Sequence, residues 1–102
     1  MIELSEFKTL YLSNKDNVAV ALSEIPDQSE VKIEIDGLMI QVKIIESIRF
    51  GHKFAVKAIP PGEDIIKYGE VIGSATVPIE AGEHVHVHNL EGKRGRGDKI
   101  VQ

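Results

Sequence analysis

"VKIEIDGLMIQVKII", residues 31–45, decides how the rest of the chain is read. Val31, Ile33 and Ile35 alternate with Lys32, Glu34 and Asp36. Asp36-Gly37 then supplies the dipeptide that a two-residue hairpin turn favours, because such turns need positive φ. A second run follows through Ile40, Val42 and Ile44. Successive strand residues face opposite sides, so this pattern predicts strand, tight turn, strand. The apolar set faces a core and the charged set faces water.

Outward from this hairpin, helical signals are weak. "DNVAVALSEI", from Asp16, passes as a short helix by propensity, yet Val18 to Leu22 is equally a buried strand. Periodicity does not separate the two in so short a run. "PPGEDIIKYG", from Pro60, reads as a turn followed by at most one or two helical turns. A weak internal repeat is more informative. "AVKAIPPGEDI" (55–65) aligns without gaps on "ATVPIEAGEHV" (75–85), and "ALSEIPDQSEV" (21–31) is a degenerate third copy. Each copy reads as strand, turn, strand, with Gly62 and Gly82 suited to the turn. The expectation is one mainly β domain over residues 1–102, compact, with short helical turns and a candidate flexible tail at 91–102.

Composition limits the function classes. A chain of 102 residues is one domain's worth. The net charge of -4, with acids spread along the chain, argues against general nucleic-acid binding, which needs a basic face. There is no cysteine, so disulfides and thiolate metal sites are excluded. The N-terminal stretch carries early acids and no long apolar run, unlike a signal peptide. No apolar stretch approaches the ~20 residues of a membrane span. A cytoplasmic location is the expectation.

"GEHVHVHNLEGKRGRGD", from Gly82 to Asp98, holds the chemistry. In an extended strand His84, His86 and His88 share one face, and Val85 and Val87 take the core side. Three imidazoles at ~6.5–7 Å spacing do not converge on one ion without a bend, although two do with help from elsewhere. His52, in "FGHKFAV", is the other histidine and the candidate helper. Imidazole plus carboxylate ligands suit Fe, Mn or Zn. Solvent-facing histidines on an edge strand are the plain alternative. In the glycine-rich loop behind them, Lys93, Arg94 and Arg96 offer groups that bind a carboxylate or phosphate, arginine in two-point fashion. A solvated tail is the alternative there.

"DNVAVAL", the "GHKFA", "IKYG" and "AGEHVHVHN" segments, and "RGRGD" together resemble the N-terminal region of the altronate and galactarate dehydratase family. The resemblance runs from about Asp16 to Asp98. It implies a SAF-type β-clip domain and a role in removing water from a sugar acid, with Fe²⁺ or Mn²⁺ as the metal. It implies His52, His84 and His86 as catalytic residues and His84, His86 and His88 as metal ligands. Lys53, Asn89, Arg94, Arg96 and Asp98 are implied to bind substrate. The implied partner is a large dehydratase subunit that shares the metal and completes the site, so that this chain is a small subunit. A non-catalytic sugar-acid-binding or partner-capping module, or the small subunit of a sulfolactate sulfo-lyase, is the alternative. Neither nucleic acid nor membrane is an expected partner, and self-association into a homo-oligomer stays open.

Overall fold

The computed structural model describes residues 7–92. Nine strands run in chain order: β1 (Thr9–Leu10), β2 (Val18–Ala21), β3 (Glu30–Ile35), β4 (Leu38–Lys43), β5 (Lys53–Ala55), β6 (Asp64–Lys67), β7 (Glu70–Ala75), β8 (His84–Val85) and β9 (Leu90–Gly92). They form three antiparallel sheets, ordered β1-β2-β5-β8, β3-β4 and β6-β7-β9. The mainly β expectation holds. The expected helical turns are absent among the described residues. "DNVAVAL" is strand β2, and the segment after Pro61 is the β6–β7 hairpin.

The repeat is more complete than the sequence shows. A further copy, 44–54, aligns with those at Ala21, Ala55 and Ala75, so that in chain order copies one to four start at Ala21, Ile44, Ala55 and Ala75. The copies associate as two pairs. Ile25 and Ile48 exchange backbone hydrogen bonds at 2.8 Å each way, as do Ile59 and Ile79 at 2.8 and 2.9 Å. The turn N–H of each copy reaches the first carbonyl of its mate: Gln28 to Ile44, Gly51 to Ala21, Gly62 to Ala75 and Gly82 to Ala55. All four turn residues have positive φ, between 71° and 87°. Their glycines are therefore conformational requirements, met once by Gln28 at a cost. The last residue of each copy, Val31, Phe54, Ile65 or Val85, is fully buried.

Each pair encloses its own core. Ile25, Val31, Val42, Ile44, Ile48 and Phe54 anchor the first, and Ile59, Ile65, Ile79 and Val85 anchor the second. β2 and β5 are the wall between them. Ala19, Ala21 and Phe54 face the first core, while Val18 and Ala55 face the second. A strand buried on both faces reads as a continuous apolar run, which is why β2 lacks alternation. Burying each large aliphatic side chain contributes about 1.5–3 kcal/mol.

Both hairpins close on two-residue turns with positive φ at each position, Asp36-Gly37 and Tyr68-Gly69. The predicted first hairpin is in the expected register, with Val31 opposite Val42 and Ile33 opposite Ile40. Glu91 and Gly92, placed in the candidate tail by the sequence, pair with β7. Among the described residues there is no helix long and apolar enough to cross a membrane.

Candidate metal and substrate site

The site forms where copy two meets copy four. β5 and β8 pair with Lys53 opposite Val85 and Phe54 opposite His84. His52 precedes β5, and its carbonyl is fixed by the Ala21 N–H at 2.8 Å. This brings His52 Nδ1 to 2.9 Å from His84 Nε2, so one ring donates and the other accepts. The His52 centroid lies 5.1 Å from that of His86.

The expected long histidine strand is corrected here. β8 stops at Val85 because Asn89 folds the next residues into a turn. Asn89 Oδ1 accepts the His86 N–H at 2.9 Å, and its Nδ2 donates to the His84 carbonyl at 3.0 Å. Its own N–H donates to the His86 carbonyl at 3.0 Å. Asn89 is fully buried, so its side chain holds the turn together. Val87, expected on the core side, sits at the tip of that turn and is 78% exposed.

The bend provides the convergence that a straight strand lacks. Ligand nitrogens of His52, His84 and His86 all lie within 4.8 Å of one another, and this is the one such group among the described residues. His88 stands against His84, with centroids 5.4 Å apart, but outside that group. Three imidazoles with one open side match the donor set of a catalytic divalent metal site. Thus His52, the helper that the sequence offered, joins His84 and His86, and His88 stands outside the group.

Electrostatics favour the neutral form of His84 and His86. Desolvation lowers the His84 pKa, followed by the charges of His52 and His88, while Glu46 pulls it upward. His86 is lowered by desolvation from its neighbours and then by Lys53, His52 and His88. Neutral imidazole is the form that ligates metal or accepts a proton. Lys53 is half-buried, and its pKa is lowered by desolvation and then by Lys67.

Glu46 was not singled out by the sequence. Its Oε2 accepts the His84 N–H at 3.0 Å, tying copy two to the histidine strand. The signal for it lay in the unnoticed second copy, which ends in "GHKF". Arg94, Arg96 and Asp98, together with Lys93, lie outside the described residues.

Fold and site together define a class: a small two-core β domain that presents an open imidazole cluster at a strand seam. The sequence profile of the altronate/galactarate dehydratase SAF domain matches residues 7–93. The chain belongs to that family. Altronate dehydratase of Escherichia coli is 42% identical over 74 residues, which is 72% of this chain and 14% of that protein. Altronate dehydratase of Bacillus subtilis is 41% identical over 80 residues, 78% of this chain and 15% of that protein. The (2R)-sulfolactate sulfo-lyase subunit alpha of Paracoccus pantotrophus is 49% identical over 47 residues, 46% of this chain and 70% of that subunit. The chain therefore spans about one seventh of the altronate dehydratases and most of the sulfo-lyase subunit.

Proposed function

We propose that this chain is the small subunit of a split sugar-acid dehydratase, with its histidine cluster forming part of an active site that a separate large subunit completes. The observation that carries the reading is the convergence of His52, His84 and His86 in a member of a dehydratase SAF family. The size relation to a protein named subunit alpha supports the split arrangement.

In this reading His52, His84 and His86 hold a divalent metal, Fe²⁺ or Mn²⁺, with His88 beside them. Such an ion, when bound, acts as a Lewis acid toward a carboxylate or a departing hydroxyl. Loss of water next to a carboxylate needs a base for the α-proton and an acid for the hydroxyl. A neutral imidazole not engaged in ligation can move one of these protons. Lys53, next to His52 in the chain, is a proposed substrate ligand, and Asn89 acts by shaping the turn that orients His86. Arg94, Arg96 and Asp98 remain proposed substrate ligands. The cytoplasm is the proposed location.

The same scaffold serves sulfite elimination from sulfolactate as a second reading, because the sulfo-lyase subunit alpha matches this chain over 70% of its own length. Co-expression with a large dehydratase subunit, followed by assays on altronate, galactarate and sulfolactate, tests both. The expectation is that activity requires this chain and Fe²⁺ or Mn²⁺. His84→Ala is expected to lower kcat/KM by roughly 100-fold or more. Equal activity of the large subunit alone overturns the proposal.

A further inference from the structure

The repeat carries an internal control for the residues around the histidine cluster. Each copy turns on four residues closed by a backbone hydrogen bond. Ser29 N–H donates to the Pro26 carbonyl at 3.3 Å, His52 to Arg49 at 3.0 Å, Glu63 to Pro60 at 3.1 Å and Glu83 to Glu80 at 3.0 Å. The third residue of each turn has positive φ. The second residue is Asp27, Pro61 or Ala81 in copies one, three and four, and Phe50 in copy two. Such a turn favours proline at that position, and turns in general favour small or polar residues. A phenylalanine adds nothing to the turn, and this one is 69% exposed. The turn that departs from the pattern is the one that ends on His52.

Val87 repeats the anomaly on the other side of the cluster. The His86–Asn89 turn holds Val87 at its second position, and Val87 is 78% exposed. These two are the most exposed large apolar side chains among the described residues. Consecutive Cα atoms are ~3.8 Å apart, so each of the two is rooted within ~8 Å of a cluster histidine. The rings of those histidines, His52 and His86, have centroids 5.1 Å apart. Ile45, also exposed, stands next to Glu46, whose carboxylate accepts the His84 N–H. Single exposed apolar residues are ordinary, but a group of them around polar residues marks a contact surface.

We propose that Phe50 and Val87 are the apolar anchors by which the large subunit seats on the histidine face, so that docking and closure of the active site are one event. This rests on the active-site reading above and deepens it by assigning the mating surface. The family relation selects the occupant. The matched region is 14% of the Escherichia coli altronate dehydratase, so most of such an enzyme lies outside its SAF portion. A second copy of this chain suits the face less well, because a two-fold contact there sets one histidine cluster against the other. Aromatic side chains are enriched in the cores of protein interfaces, and anchors fill pockets on the partner. The large subunit is therefore expected to offer an apolar pocket to Phe50 beside its own polar site residues.

The affinity of the full chain for the purified large dehydratase subunit, measured by isothermal titration calorimetry, tests the surface. Phe50→Ser is expected to weaken binding by roughly 10-fold or more and Val87→Ser by about 3-fold, the larger effect falling on the aromatic anchor. Leu38→Ser is the control. Leu38 is 66% exposed at the tip of the first hairpin, and its replacement is expected to change affinity by less than about 2-fold. All three side chains are exposed, so the amide spectrum of each variant should be preserved. Unchanged affinity in Phe50→Ser, or a loss in Leu38→Ser as large as that in Phe50→Ser, overturns the surface. Self-association of the chain alone that Phe50→Ser abolishes also overturns it and makes a second copy the occupant. Activity of the same complexes on altronate, galactarate and sulfolactate, with Fe²⁺ or Mn²⁺, separates the two readings. A complex that depends on Phe50 yet is inactive keeps the surface and discards the lyase reading. Activity that requires this chain but is indifferent to Phe50→Ser does the reverse, and no complex with the unsubstituted chain discards both.

Discussion

The two hairpins occupy equivalent places, one after the first repeat copy and one after the third, yet they are held very differently. The β3–β4 hairpin has six-residue arms in unbroken register. Its turn is Asp36-Gly37, its tip exposes Leu38 and Met39, and an exposed Asn14–Asp36 side-chain bond of 3.2 Å reaches it. The β6–β7 hairpin has a register shift between Ile65 and Ile66, an unfavourable Tyr68 in its turn, and β9 along its edge. Buried Asp16 and Asn17 grip it from outside. The first hairpin satisfies itself with ordinary turn chemistry. The second is imposed by long-range bonds from the segment that opens β2.

The sharpest way to break the symmetry lies in the turns. Gly62 and Gly82 have nearly the same φ, 86° and 87°. A Cβ on Gly62 meets nothing within 4 Å, whereas one on Gly82 runs into the Lys43 carbonyl. Gly82→Ala is expected to cost more than ~4 kcal/mol or prevent folding, because backbone must move. Gly62→Ala is expected to cost about 1–2 kcal/mol, the left-handed penalty alone. Urea denaturation of both variants measures the gap, and equal losses would show that copy four is not packed more tightly than copy three. Next in size is Asp16→Ala, which removes a charged acceptor from two N–H groups and is expected to cost about 3 kcal/mol. Its effect should concentrate in the second hairpin, as faster hydrogen exchange at Tyr68 and Gly69. Asn14→Ala, its counterpart at the first hairpin, is expected to cost less than about 0.5 kcal/mol.

The same contrast explains what the sequence disclosed. Val31 to Ile44 was legible because one buried face and an Asp-Gly turn leave a strict period of two. β6 was not, since its strand is held by side chains 47 to 53 residues away. Copy two escaped notice because Ile44 and Phe54 replace the small and aliphatic residues of the other copies at its two ends. Among the histidines, local spacing named His84, His86 and His88, with His52 as a helper from elsewhere. That His52 rather than His88 joins the first two depends on Asn89 ending the strand, and a period-two pattern carries no trace of that.

A smaller effect sharpens the reading of Tyr68. Replacing it with Asn keeps the turn and removes strain of about 1–2 kcal/mol, against a lost cation–π contact of about 0.5–1 kcal/mol. Tyr68→Asn is therefore expected to stabilise the chain by up to about 1 kcal/mol while loosening Lys67. Thermal denaturation checks the sign. A loss of stability would mean that the tyrosine is a structural anchor rather than a strained seat for the lysine.

The smallest expected effect concerns Tyr11, which supports the same grip from behind. Its hydroxyl donates to the Asp16 carbonyl at 2.9 Å. Burial, and then the Asp16 charge, raises its pKa above the ordinary 10.0. A raised value means that the folded chain keeps a proton which the unfolded chain releases. The associated stability is intact below pH 10 and is lost as pH rises through the folded value. Lysines titrate in the same range, so the informative quantity is the difference between the protein and Tyr11→Phe. That difference in urea midpoint should be constant from pH 7 to 9 and shrink above pH 10. Hydrogen exchange should place the alkaline loosening at Tyr68 and Gly69, because deprotonated Tyr11 repels the carboxylate that holds those two amides. If protection fades instead at the Asp36-Gly37 turn, Tyr11 is not coupled to the second hairpin, and the difference between the hairpins rests on Asp16 and Asn17 alone.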